Sequence, residues 1–285
     1  MTGIGTAPGT LYVVATPLGH SEDVTLRALR VLGQVSLVAC EDTRRTGAFL
    51  RAHGIATATT SYFEHNERWK GGRILEALRG GRDVALVSDA GTPGISDPGY
   101  RLVREARDEG LPVVPVPGAS AAVAALSVSG LPTDRFLFVG FLPPRSGGRR
   151  RALEELVSER STLVFHESPV RVLDSLADMI AVLGDREAFL CREATKLHEE
   201  YVRAPLSALR ASLAARDSVK GEIVLVVKGA PEAAPATGLH PVPLYRELAA
   251  QGRTRREAVK EAARRLGLGA REVYRLVQEA EARGD

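Results

Sequence analysis

Short apolar runs recur along this chain, each closed by Gly, Pro, Ser or Asp and most followed by a segment of helical spacing. This alternation constrains the fold more than any other feature. A strand that is apolar on both faces must be covered on both, and helices supply the cover. The first such runs are "TLYVVATPLG" (10–19), "VSLVAC" (35–40), "ATTSYF" (58–63), "DVALVSD" (83–89) and "LPVVPVPG" (111–118). Residues 22–33, 67–81 and 99–110 have helical spacing, and 119–130 reads as a helix of small residues. "EDTRRTG" after Cys40 reads as a polar connection. The order predicts an α/β fold with a parallel, two-faced sheet complete by about residue 130.

"LPTD" (131–134) breaks the rhythm and reads as a hinge. The rhythm then resumes, with strands over 135–143, 161–169, 186–194 and 221–229 and helices over 151–160 and 171–184. Four regions are expected: an N-terminal α/β domain (1–130), a second α/β domain (131–229), a Pro/Ala-rich linker (230–243) and a small helical tail (244–285). In the tail, Thr254 and Glu257 have the spacing of a capping box. Gly267 and Gly269 separate two helices, as in a helix-turn-helix module.

A net charge of +3 over 285 residues gives no global signal for a polyanion, but the basic residues are clumped. "PPRSGGRRR" (143–151) carries Arg145, Arg149, Arg150 and Arg151 with no acid, and reads as a mobile loop joining a strand to a helix. Such a loop suits phosphates. The tail adds the pairs Arg255/Arg256 and Arg264/Arg265, which serve equally well as a solvated face. Cys40 and Cys191 end apolar runs and read as buried free thiols. The six histidines form no metal-spaced cluster, so no metal is expected. No secretory leader or membrane span is read, and the cytoplasm is the expected compartment.

Three turn-rich loops follow apolar strands of the first half: 15–20, 88–99 and 115–121. Glycine lets backbone N–H and C=O groups touch a ligand, and in open α/β sheets ligands sit at the carboxyl ends of strands. The second loop, "SDAGTPGISDPG", exceeds the usual two to six residues of a strand-to-helix connection. Neither a dinucleotide fingerprint nor a phosphate loop occurs. Asp89 ends its strand and accepts hydrogen bonds from hydroxyls or an amine, so a ligand with ribose and amine donors fits better than a phosphate.

The motifs "VATPLG", "LVACEDTRRT", "VSDAGTPGISDPG", "PVPGASA", "FVGFLP", "HESPVR", "REATKLHEE" and "GEIVLVV", in this order, resemble the ribosomal RNA small subunit methyltransferase I family of the tetrapyrrole-methylase superfamily. The likeness runs from about Leu11 to Lys228. It implies a two-domain tetrapyrrole-methylase-like fold (class III) with a small C-terminal helical domain. It implies transfer from S-adenosyl-L-methionine to the 2′-hydroxyl of a decoding-region cytidine in 16S ribosomal RNA, within the small ribosomal subunit, by a homodimer. The donor would be folded between the domains. The resemblance assigns its contacts to Leu18 and Gly19; to Asp89, Gly91, Thr92 and Pro93; and to Gly118, Ala119 and Ser120. From the second domain it adds Phe141, Leu142, Pro169, Arg171, Ala194, Thr195, Glu222 and Ile223.

A ribose hydroxyl is a weak nucleophile and gains from a base or a nearby cation. Lys196, Glu167 and Glu193 are the catalytic candidates, with Glu41, Asp42 and Arg192 also near the expected cleft. Charged residues at strand ends equally form structural ion pairs. Tyr62, Phe63 and Trp69, with His65 among them, are the stacking candidates for unpaired bases, or the packed end of a strand. Two other functions keep these residues. One is methyl transfer to a small molecule such as a tetrapyrrole. The other is a ligand-sensing regulator that binds nucleic acid through the tail.

Overall fold

The structure is a computed structural model that describes residues 7–63, 65–231 and 240–283. The chain forms two compact units, 1–229 and 230–285.

The first unit contains two five-stranded sheets. The first sheet is built from β1 (Leu11–Val14), β2 (Leu37–Cys40), β3 (Thr59–Ser61), β4 (Val84–Leu86) and β5 (Val113–Val116). Their order is β3-β2-β4-β1-β5, and every neighbouring pair is parallel. Successive side chains point to opposite faces, so Val38 and Ala85 join one core layer while Ala39, Val84 and Leu86 join the other. Helices α1 (Leu26–Gln34) and α2 (Thr43–Ala52) cover the first layer through Ala28, Val31, Leu32 and Leu50. Helices α3 (Glu67–Arg79) and α4 (Tyr100–Asp108) cover the second through Ile74, Leu78, Leu102 and Ala106. The segment after Cys40 is therefore no mere connection. The Asp42 carboxylate accepts the Arg44 amide at 2.8 Å and starts α2.

Helix α5 (Ala121–Val128) follows β5 in the chain but packs on the second sheet. Ala122, Ala125 and Leu126 lie against Val164, Phe189, Cys191, Val224 and Val226. The expected hinge after it is pinned. Leu131 is buried in the same layer, and the Pro132 carbonyl accepts the Thr162 hydroxyl at 2.6 Å.

The second sheet comprises β6 (Phe136–Phe141), β7 (Thr162–Glu167), β8 (Glu187–Arg192), β9 (Glu200–Pro205) and β10 (Ile223–Val227), in the order β6-β7-β10-β8-β9. Resumption of the strand–helix rhythm does not bring a second parallel sheet. Only β6 and β7 run parallel, and the other three pairings are antiparallel. Helices α6 (Ser146–Glu154), α7 (Val172–Leu183) and α8 (Leu206–Ala214) cover the face opposite α5. The basic segment is not a loop: its Gly147, Gly148 and three consecutive arginines form the first turns of α6. Cys40 and Cys191 are buried free thiols.

The second unit is a bundle of α9 (Pro241–Ala250), α10 (Arg255–Leu266) and α11 (Ala270–Arg283) around Leu244, Leu248, Val259, Leu266, Val273 and Val277. Helix α9 begins inside the segment expected as linker, of which 232–239 lie outside the described residues. The Thr254/Glu257 capping box forms, and Gly267 ends α10 in the left-handed region at φ 64°. Among the described residues, no helix is long and apolar enough to cross a membrane.

Candidate active site

Strands β4, β1 and β5 are adjacent, so the three turn-rich loops leave one edge side by side. Hydrogen bonds lace them into a single rim. Thr16 and Gly91 exchange backbone hydrogen bonds at 2.9 and 3.0 Å, and the Thr92 hydroxyl donates to the Ala119 carbonyl at 3.1 Å. The rim requires glycine in two places. Gly91 sits at φ 78°, and a Cβ on Gly118 would lie 2.9 Å from that of Ala15.

The second sheet closes over this rim. Because β10 runs antiparallel to β7, Ile223 pairs with Glu167, and the start of one strand lies beside the end of the other. The loop 193–196 folds onto the first rim segment: the His20 amide donates to the Thr195 hydroxyl at 3.1 Å, and Lys196 packs where a Cβ on Gly19 would be. Two crevices result, of about 240 and 450 Å³, which share Leu18 and Asp89. Among the described residues, the non-glycine positions with positive φ are Ser96, Glu193 and Thr195, all in these loops. Backbone strain of this kind persists only where surrounding contacts over-determine it.

The smaller crevice is lined by Glu41, Asp89, Asp97, Glu167 and Glu222, and by no lysine or arginine. His166 also lines it, and burial pushes this imidazole below its usual range, so it adds no positive charge at neutral pH. Three of these acids are ion-paired from outside the lining: Asp89 by Arg45 at 2.9 Å, Glu167 by Arg171 at 3.3 Å and Glu222 by Lys196 at 3.2 Å. Glu41 and Asp97 are the wall acids with no salt bridge among the described residues, and the wall itself presents no cation to a phosphate. Burial pushes the Asp97 carboxyl up to about 6, reinforced by the negative charges of Glu41 and Asp89. Burial raises Glu41 as well, against the hydrogen bond it accepts from the Asp89 amide at 3.3 Å.

The residues expected from sequence divide into groups. Leu18, Asp89, Gly91, Thr92, Ser120, Phe141, Glu167, Glu222 and Ile223 line the smaller crevice, and Gly19 and Lys196 line the larger one with Leu18 and Asp89. Gly118 and Ala119 belong to the rim but line neither crevice, Pro93 is buried and lines neither, and Thr195 braces the rim. Leu142 is 3% exposed in the core under α6 and α7, because β6 carries Phe141 outward and its neighbour inward. Pro169 and Ala194 line neither crevice, and Arg171 is turned to Glu167 at 3.3 Å. Asp89 is already engaged, accepting from Arg45 at 2.9 Å and from the Asp42 amide at 3.2 Å.

All three catalytic candidates are engaged by neighbouring groups. Lys196 Nζ sits 2.8 Å from Glu193 and 3.2 Å from Glu222. Partial burial works to lower this ammonium, but the two carboxylates outweigh it and hold it charged. The Lys196 hydrogen bond in turn lowers Glu193, leaving it a weak base. Glu167 is buried, accepting the Ser175 hydroxyl at 2.5 Å and the Ser168 amide at 2.9 Å. Asp97 was missed. Its signal is its place as the second acid of "SDAGTPGISDPG", the loop expected from sequence to meet a ligand through Asp89.

Of the four arginines expected to meet RNA, Arg149 is removed. It is 4% exposed, with Nε 2.7 Å from Asp178. Arg145, Arg150 and Arg151 are exposed, and none of the three lines either crevice. Arg150 and Arg151 border a separate surface groove with Glu154 and Val157. Trp69 is 59% exposed, stacked by Arg73 at 4.2 Å, while Tyr62 is 1% exposed and is a core residue.

Two sheets closing on laced, glycine-rich loops define a class. Residues 10–210 match the Tetrapyrrole (Corrin/Porphyrin) Methylases family. Among solved structures, uroporphyrin-III-C-methyltransferase from Thermus thermophilus superposes with a TM-score of 0.56 at 23% identity, covering 76% of this chain and 94% of that one. Diphthine synthase superposes with 0.57 at 16% identity, covering 77% and 89%. Within this class, a Halalkalibacterium halodurans protein named Ribosomal RNA small subunit methyltransferase I is 46% identical over 273 residues, 94% of each chain. A Pseudomonas aeruginosa protein of the same name is 51% identical over 234 residues, 81% of this chain and 83% of that one. A Synechocystis relative, also so named, is 42% identical over 279 residues, 97% of this chain and all of that one. The chain belongs to the ribosomal RNA small subunit methyltransferase I family, and it is a methyltransferase.

Proposed function

We propose that this enzyme methylates the ribose 2′-hydroxyl of a decoding-region cytidine in 16S ribosomal RNA, using S-adenosylmethionine, on the small ribosomal subunit in the cytoplasm. The acid-walled crevice in a chain with these relatives carries the reading. A donor with a sulfonium and an ammonium group fits a wall that presents carboxylates, Glu41 and Asp97 among them without a salt bridge, and no cation of its own. Its hydroxyl and amine groups fit the backbone at Gly91. One structural neighbour of this fold was solved complexed with S-adenosyl homocysteine. Leu18, Gly91, Thr92, Ser120, Phe141 and Ile223 would hold the donor.

The donor supplies an activated methyl group, so positioning does most of the work. Transfer of the donor's methyl group to the ribose oxygen, with the thioether as leaving group, would release the hydroxyl proton, which needs an acceptor. Asp97 is that acceptor: it ionises near neutrality, where a base is most effective, and it lines the crevice. The Lys196 ammonium stays charged between Glu193 and Glu222 and holds the loop 193–196 against the rim. Arg145, Arg150 and Arg151 draw in the phosphates. A homodimer is supported by apolar side chains left in water along α5 and β6, among them Val123, Val128 and Phe136, and light scattering checks it.

The test is transfer of labelled methyl to undermethylated small subunits, followed by nuclease digestion and mass spectrometry. The expected product is 2′-O-methylcytidine. Label on a base, or only on an added tetrapyrrole, refutes the proposal.

A further inference from the structure

The tail unit holds an open surface cleft of about 490 Å³ between α10 and α11. Both of its walls have the same spacing. Arg255, Arg256, Val259 and Lys260 come from α10, and Ala270, Arg271 and Tyr274 come from α11. Residues four apart share a helix face, and the left-handed Gly267 turns the second helix so that the two faces meet. Val259, Ala270 and the Tyr274 ring give the cleft apolar surface, and the cations edge it.

The charges here are not balanced locally. Elsewhere in the tail, Glu261 holds Arg264 at 2.6 Å and Arg265 at 2.9 Å, and Glu279 holds Arg275 at 2.8 Å. No carboxylate among the described residues pairs with Arg256, Lys260 or Arg271. Arg255 is the exception. Glu281 fixes it at 2.8 Å, and its guanidinium lies over the Tyr274 ring, 5.1 Å from the centroid. The ring is thereby held in place and 43% exposed. The expectation from sequence is thus divided: Arg255 orients the ring, Arg256 edges the cleft, and Arg264 and Arg265 are neutralised.

We propose that this cleft binds one unpaired nucleotide of RNA, the base stacking on Tyr274 and the phosphates meeting Arg256, Lys260 and Arg271. An aromatic ring inside a concave cationic site fits a splayed base, whereas a duplex is met by a convex helix surface. The choice of RNA as the polymer rests on the proposed function, but the cleft's chemistry does not. All residues lining the crevices of the methylase fold belong to the other unit, so the tail site changes how RNA is held and not the transfer step.

The test uses the full chain and a short fluorescein-labelled single-stranded RNA, read by anisotropy across a salt series. The variant Arg256→Ala/Lys260→Ala/Arg271→Ala should lower the salt slope by about 2, the worth of three phosphate contacts on a single strand. Tyr274→Ala should weaken binding about 5- to 100-fold, and Tyr274→Phe should restore it. Arg264→Ala/Arg265→Ala removes two charges from the same helix and should leave the slope unchanged. If the triple variant melts early, the exposed single change Lys260→Glu replaces it. Equal loss from the Arg264/Arg265 variant, no loss from the triple variant, or tighter binding of duplex DNA that ignores Tyr274 overturns the site. The same variants are assayed for methyl transfer to small subunits. A raised KM at unchanged kcat is expected. Transfer that fails in the wild type while Tyr274-dependent RNA binding persists refutes the proposed function and leaves the site standing.

Discussion

Replacing Arg149 with alanine should make the protein melt earlier while leaving its hold on RNA untouched. The side chain is 4% exposed and the partner Asp178 carboxylate 13%, with 2.7 Å between them. Removing one member of a buried pair leaves the other charge without compensation, at a cost of about 3–5 kcal/mol. The lower end applies here, because the Ser146 hydroxyl remains 2.9 Å from Asp178 and Arg150 lies 3.8 Å away. In a unit of residues 1–229, about 3 kcal/mol lowers Tm by about 6–12 °C. Circular dichroism on heating measures the shift, and the salt dependence of RNA binding is measured in parallel. Arg149→Met/Asp178→Leu should recover most of the loss, since removing both charges strands neither. An unchanged Tm with a shallower salt slope would refute the reasoning and return Arg149 to the RNA path.

Further outcomes follow from the same geometry. Arg150→Ala/Arg151→Ala should leave Tm within about 2 °C and lower the salt slope by about 1–2, as measured by RNA titration at several salt concentrations. Because the folded Asp97 carboxyl titrates at about 6, above its ordinary value, its stabilising contribution is complete below about pH 4 and is lost as pH rises through 6. Asp97→Asn should therefore raise stability above pH 7 by about 1–2 kcal/mol after allowance for solvent screening, and do nothing near pH 4. The same substitution should abolish the rise of kcat/KM through pH 6; a profile that keeps this limb removes Asp97 as proton acceptor. Asp89→Ala frees the Asp42 amide that starts α2, so lowered Tm should accompany weaker donor binding by calorimetry. Gly19→Ala drives a methyl group into Lys196 on the larger crevice and should cost about 1–3 kcal/mol of stability, read as a lowered Tm.

The first sheet was legible because strands buried on both faces read as continuous apolar runs, and helices between them leave only parallel pairing. The second sheet was legible as strands and not as pairings. Ile223–Val227 is buried throughout, and its composition is the same whichever way its neighbours run. Helix α6 was legible with the wrong bounds: the expected helix begins at 151 because Gly147 and Gly148 oppose helix formation, whereas α6 spans 146–154 and packs against α7. Arg149 carried a readable signal: it lies four residues before Leu153, on the same buried face. The loops of the site were legible as turn chemistry, and their lacing was not. Thr16, Gly91, Thr92 and Ala119 meet only once β4, β1 and β5 are neighbours. The raised carboxyl of Asp97 depends on burial and on Glu41, which lies more than fifty residues earlier in the chain.

Helix α5 ties the site to a particular way of moving. Its leading end follows Ser120 at the crevice wall, while Ala125 and Leu126 are seated among strands that arrive later in the chain. Swinging the two sheets apart would drag this helix off one of them, and exposing a single leucine costs about 1.5–3 kcal/mol. A fragment cut after residue 130 would carry its last helix as a bare apolar rod, so the halves are stitched into one object that does not survive separation.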